Sequence, residues 1–109
     1  MLQLFQAEWC PSSRRVRQRL TEFGLDYVSR QVPAEKTHRR ALRSVAGTDG
    51  IPTLVLEDTS ALVGEDAICA WLDAQVTETT DTEAHRQKAK TAHRRQLEEE
   101  CECVQPVTP

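Results

Sequence analysis

The residue with the clearest chemical potential in this 109-residue chain is Cys10, in the segment Trp9-Cys10-Pro11-Ser12-Ser13. It follows a short apolar run, Leu2-Gln3-Leu4-Phe5, and precedes a stretch with helical periodicity. A cysteine at such a junction meets unpaired backbone N–H groups and the positive end of the helix dipole. Both favour the thiolate, which is the nucleophile, and such sites lower a cysteine pKa to roughly 3.5–7.5 from about 8.5. Arg14 and Arg15, one turn into the helix, add favourable charge if they lie near. An inert, half-buried thiol is the plainer alternative. Trp9 either shelters the sulfur or simply packs.

Two other segments have the composition of a site. Ile51-Pro52-Thr53 follows a glycine turn and precedes a β-rich run. A cis bond is nearly confined to X–Pro, and here it would fall beside Cys10, leaving the Ile51 backbone to pair with an extended thiol substrate. An ordinary trans turn is the alternative. In Gly64-Glu65-Asp66-Ala67-Ile68 a turn opens a helix, whose free N–H groups can hold a carboxylate. Asp66 could accept from a ligand amine or merely cap the helix.

The other cysteines are weaker candidates. Cys69 falls within an amphipathic helical stretch and reads as a small helix residue. Cys101 and Cys103 lie in a charged tail and read as incidental thiols, with a resolving role or metal binding with His85 and His93 as alternatives. Their spacing is not a zinc pattern, and no metal site is expected.

The elements that must position these residues follow from periodicity and breakers. Leu2 to Ala7 reads as a strand, and Val16, Leu20 and Phe23 as one face of a helix that starts at Pro11 and stops at Gly24. Leu25 to Val32 reads as a strand, and Ala34 to Val45 as a second helix ended by Gly47. Thr53–Leu56 and Ala61–Val63 read as a hairpin, and Ile68, Trp71, Leu72 and Val76 as the face of a third helix. The order βαβαββα predicts an α/β fold: one mixed sheet flanked by helices.

The length suits one domain, assigned to residues 1–77. Residues 78–109 are rich in charge, lack aromatics and predict a solvated helix over about 82–100, or disorder. The net charge of −3 gives no sign of a nucleic-acid or membrane partner. The apolar runs are too short to span a bilayer, and residues 1–5 do not form a secretory leader, so a cytoplasmic location is the expectation. There, thiols stay reduced and are reactive, metal-binding or buried rather than a structural framework.

Four pieces in this order and spacing resemble the glutaredoxin family and the glutaredoxin-like N-terminal domain of glutathione transferases. They are Cys10-Pro11-Ser12-Ser13, Phe23-Gly24-Leu25-Asp26-Tyr27, Gly50-Ile51-Pro52-Thr53-Leu54 and Gly64-Glu65-Asp66-Ala67-Ile68, within about residues 1–76. The resemblance implies a thioredoxin fold with a four-stranded sheet, and Cys10 as the nucleophile that exchanges with glutathione mixed disulfides. It also implies that Ile51 and cis-Pro52 hold the cysteinyl part of the tripeptide and that Glu65 and Asp66 meet the γ-glutamyl end. Arg39 matches a position that contacts the glycyl carboxylate.

The sequence departs from the pattern in informative ways. Ser13 stands where dithiol members have a second cysteine, and Glu65 where a serine is common. The Cys-Gly-Phe-Ser of iron–sulfur-carrying monothiol members is absent, and the remaining residues are too few for a transferase's helical domain. The expected function is a monothiol thiol-disulfide oxidoreductase that uses glutathione or a related low-molecular-weight thiol as co-substrate, with disulfide-containing proteins as partners and no tightly bound cofactor. The alternative is a catalytically weak binding module of the same fold.

Overall fold

Leu4 and Leu54 face each other across neighbouring strands, and their side chains define the larger of two cores. The computed structural model describes residues 1–75 and 77–95. Its elements are β1 (Leu2–Gln6), α1 (Pro11–Glu22), β2 (Tyr27–Gln31), α2 (Arg40–Ala46), β3 (Thr53–Val55), β4 (Ala61–Val63), α3 (Glu65–Gln75) and α4 (Thr80–Arg95). The sheet order is β2-β1-β3-β4, with β1 and β2 parallel and the other pairs antiparallel. This is the mixed four-stranded sheet expected of a thioredoxin fold.

Because side chains alternate along a strand, the sheet has two apolar faces. On one face Leu4 and Leu54 pack with Val16 and Leu20 of α1 and Ile68 and Leu72 of α3, all fully buried. The i, i+4 spacing within each helix puts both residues of a pair on the same side. On the other face Phe5 and Val55 meet Leu42 of α2 and Val32. Gly24, at φ 66°, takes the left-handed conformation that lets α1 stop and the chain turn into β2.

The second helix differs from its sequence expectation. A 3₁₀ turn over Lys36–His38 precedes α2, and the α-helix itself begins only at Arg40. The break falls at Arg39, whose side chain turns inward and is 4% exposed. Its Nε donates to the Pro33 carbonyl at 2.9 Å, while the two Nη atoms donate to Asp49 at 2.8 Å and Ala34 at 3.1 Å. Two loops thus share one buried guanidinium.

The segment after α3 forms a helix, but a docked one. The N–H of Thr79 donates to Oγ1 of Thr82, capping α4, and Thr82 is buried. Arg86 reaches the buried carboxylate of Glu22 at the end of α1, 3.6 Å away, and also pairs with Glu78 and Glu83 at 2.8 Å. Arg19 approaches Glu22 from the other side at 3.2 Å. Leaving a buried carboxylate short of a partner is costly. Arg86→Ala should therefore lower Tm by several degrees and speed proteolysis within residues 78–95. Unchanged Tm and cleavage would show that α4 does not dock through this contact. Among the described residues, no helix is long and apolar enough to cross a membrane. Val76, Cys101 and Cys103 lie outside the described residues.

Candidate functional site

Cys10 is the N-cap of α1, with extended backbone (φ −83°, ψ 122°) and Pro11 as the first helical residue. Its own N–H donates to the Ala7 carbonyl at 3.1 Å and its carbonyl accepts from Arg14 N–H at 3.0 Å, so the backbone on both sides of the sulfur is fixed. Pro11 has no N–H, and the free amides that face the sulfur are those of Ser12 and Ser13.

Partial burial pushes the Cys10 thiol pKa up. The Ser13 hydroxyl, the Ser13 and Ser12 amides and the charge of Arg15 outweigh it, and the pKa lies below the ordinary cysteine value. Ser13 is wholly buried and its Oγ also accepts from the Ala7 N–H at 3.3 Å. Where a dithiol relative would have a second thiol, this chain has a fixed hydroxyl aimed at the first. Ser13→Ala should accordingly move the inflection of Cys10 alkylation to higher pH, while turnover changes only modestly. An inflection that stays in place would exclude the hydroxyl as a stabiliser of the thiolate.

Cys69 has the opposite environment. Burial raises its pKa, the acids Glu65, Asp73 and Asp66 raise it further, and Arg19 only partly offsets them. It does not line the cleft at Cys10 and fits the inert helix residue that its sequence context suggests. Among the described residues, no cluster of three or more His, Cys, Asp or Glu side chains comes together.

The Ile51–Pro52 peptide bond is cis, as its sequence context suggested. Ile51 and Cys10 pack on one apolar cluster built from Phe5, Ala7, Val32, Leu42 and Val55, so the two segments meet on one side of the sheet. The Pro52 carbonyl accepts from the Gly64 N–H at 2.8 Å, tying this loop to the start of α3. Thr53 Oγ1 donates to the Gly50 carbonyl at 2.8 Å and braces the same turn.

Glu65 is the first residue of α3, and its carboxylate is turned toward α1, where Arg15 Nε donates to it at 2.7 Å. That guanidinium holds the Glu65 carboxyl below the usual carboxylate range, so the pair stays ionised. The charge that the sequence placed against a ligand carboxylate is thereby largely cancelled. Asp66 is exposed beside it. Arg39 differs from its expected role: its donors are given to backbone carbonyls, and it borders a separate cavity of about 180 Å³ on the α2 side of the sheet. Through Asp49 it steadies the turn that carries Ile51 and Pro52, instead of reaching toward the glycyl carboxylate of a ligand.

The cleft at Cys10 has a volume of about 530 Å³. Trp9, Pro11, Arg14 and Arg15 line it from one side, and Ala89 and Lys90 of α4 from the other. Trp9 is 61% exposed, so its ring forms a rim and leaves the sulfur open. The α4 wall escaped the sequence reading, because a charged segment with small apolar residues gives no signal of where it docks.

The family model for the glutathione S-transferase N-terminal domain matches residues 9–75. Among solved structures, a glutathione S-transferase from Sinorhizobium meliloti is similar at 26% identity and a TM-score of 0.63, over 70% of this chain and 32% of that one. A glutathione transferase homologue from Sulfitobacter with bound glutathione is 23% identical, with a TM-score of 0.61, over 88% of this chain and 49% of that one. The buckwheat glutaredoxin–glutathione complex shares the fold at 15% identity and a TM-score of 0.55, over 82% of this chain and 78% of that one. The chain spans half or less of the length of these two transferases. No curated protein matches it. A match over residues 9–75, more than half of the chain and including the cysteine described above, makes this chain a member of the glutathione S-transferase N-terminal-domain family.

Proposed function

We propose that the protein is a monothiol thiol-disulfide oxidoreductase that reduces mixed disulfides through Cys10, with glutathione or a related low-molecular-weight thiol as co-substrate. The observation that carries this reading is the Cys10 sulfur at the start of α1, open to a cleft and held below the ordinary thiol pKa. The Cys10 thiolate attacks the glutathione sulfur of a mixed disulfide, the old S–S bond breaks, and the protein substrate leaves as a thiolate. A second glutathione thiolate then attacks the glutathione sulfur held on Cys10, releasing glutathione disulfide and restoring the Cys10 thiolate. Ser13 cannot perform that release, so turnover depends on the outside thiol.

In this reading the Ile51 backbone receives the extended tripeptide. Its N–H and C=O take no hydrogen bond among the described residues, and a cis peptide next to an open backbone edge suits an added strand. Pro52 shapes that edge, while the start of α3, at Glu65 and Asp66, receives the γ-glutamyl end. The glutathione held by the Sulfitobacter and buckwheat proteins supports the choice of thiol. A reducing compartment such as the cytoplasm belongs to the same reading, because Cys10 must be kept as a thiol.

The match to an N-terminal domain alone also favours a second reading, a thiol-binding module without turnover. Reduction of a glutathionylated peptide at rising glutathione concentration decides between them. The oxidoreductase gives a rate that climbs with glutathione, whereas a binding module gives only the uncatalysed rate. Replacing Cys101 and Cys103 by Ser should matter little; loss of most turnover in that variant would make the tail the resolving arm.

A further inference from the structure

The α2 side of the sheet carries positive charge that no carboxylate balances. The cavity of about 180 Å³ there is lined by Arg30, His38, Arg39 and Arg40 and by no acidic residue. Phe5, Val32 and Leu42, all buried, give it apolar walls. It shares no residue with the cleft at Cys10. Arg39 donates only to backbone carbonyls, so its charge is buried without an anion among the described residues. Arg30 is fixed from β2: its guanidinium lies over the Phe5 ring at 4.6 Å, and Nη1 donates to Gln3 Oε1 at 3.1 Å. Its Nε and Nη2 make no hydrogen bond among the described residues. The exposed side chain of Arg40, at the start of α2, makes neither a hydrogen bond nor an ion pair among them. In a chain of net charge −3 this surplus is local.

We propose that this cavity binds a phosphoryl dianion, either free phosphate or a phosphate monoester with a small apolar body. Guanidinium forks match phosphate oxygens two at a time, and such charge-assisted hydrogen bonds are about twice as strong as neutral ones. Arg40 and the open donors of Arg30 supply these bonds, from two segments of the chain. Arg39 adds its charge, since a buried cation gains from any anion brought near it. The apolar walls suit a short hydrocarbon or ring attached to the phosphate. The site is independent of the exchange at Cys10, because its ligand neither reacts nor needs a thiol.

The test is calorimetric titration of the full, reduced chain at low salt with inorganic phosphate and with phenyl phosphate. At about pH 8 both ligands are mainly dianions. Each should bind with a Kd below about 1 mM. Arg40→Gln and Arg30→Gln should each weaken binding by about five- to tenfold, as expected for a lost charge-assisted bond that is partly exposed to water. Arg40→Lys, which keeps the charge and loses the fork, should weaken it less. Arg40 is exposed, so its variants should fold with unchanged Tm. Arg15→Gln, at the other cleft, and saturating glutathione should leave phosphate binding as it is. Tighter binding of phenyl phosphate assigns the site to a monoester, and equal affinity assigns it to free phosphate. No binding of either below about 10 mM, or a Kd unmoved by both glutamine variants, overturns the proposal. So does displacement by glutathione, which would make the cavity part of the thiol site. None of these results bears on thiol exchange, which Cys10 turnover tests separately.

Discussion

Cys10→Ser should reduce mixed-disulfide turnover by orders of magnitude, to the uncatalysed background. The reasoning is chemical before it is structural. Exchange requires a thiolate, and a serine hydroxyl is almost entirely protonated at neutral pH. The same hydrogen-bond donors would remain in the variant: the Ser12 and Ser13 amides, the Ser13 hydroxyl and the Arg15 charge. They stabilise an anion that serine does not supply. Ligand affinity should survive, because the Ile51 edge and the start of α3 lie on other segments. A Cys10→Ser protein that still binds a glutathione-linked peptide but does not reduce it separates chemistry from recognition. Turnover within a few-fold of the parent would place the chemistry on another thiol. Cys69 is a poor substitute, since burial pushes its pKa up.

Leu20→Ala should be among the most damaging single changes to the fold at the helix residues of the main core. Leu20 of α1 is fully buried in one cluster with Leu4 and Leu54 of the sheet and Ile68 and Leu72 of α3. Truncating such a leucine costs about 2–5 kcal/mol, as lost transfer free energy plus the residual cavity. A domain of this size has about 5–15 kcal/mol in all, so Tm should fall by more than about 10 °C. Leu20→Met keeps the volume and should cost less than about 1.5 kcal/mol. Cys10 lies at the other end of α1, so the folded fraction of Leu20→Ala should keep the thiol's pH profile. A loss under about 0.5 kcal/mol, typical of surface positions, would mean that Leu20 does not occupy the core as described.

The sequence and the structure agree where local chemistry is strong. The apolar alternation in Leu2–Phe5, the i, i+4 pairs of α1 and α3, and the glycine at position 24 each determine a local outcome with few alternatives. The place of Cys10 at the start of α1 was legible because an apolar strand run, a proline and a helical period mark that junction. The cis bond at Pro52 required the whole pattern, since a proline after glycine is equally at home in a trans turn.

What escaped the sequence depends on partners distant along the chain. Arg39 lies between His38 and Arg40, and the resemblance alone gave it a role, at a ligand carboxylate. It is buried because the carbonyls of Pro33, Ala34 and Asp49 converge around it, and no local pattern announces that convergence. Glu65 stands where a serine is common, and its charge is held by Arg15 on a different helix, a partner 50 residues away that no local pattern announces. The segment after α3 has too few large apolar residues to signal a core. It docks instead through a buried Glu22 that takes Arg86 as its counterion, and this brings Lys90 to the cysteine.

The most direct test of the account is to locate the covalent intermediate. The full chain is mixed with a glutathionylated peptide, quenched with acid, alkylated and mapped by peptide mass spectrometry. The account predicts a glutathione adduct on Cys10 that accumulates when free glutathione is low and clears as glutathione is added, with Cys69 still a free thiol. An adduct confined to Cys101 or Cys103, or the peptide itself in place of glutathione attached to Cys10, would contradict it.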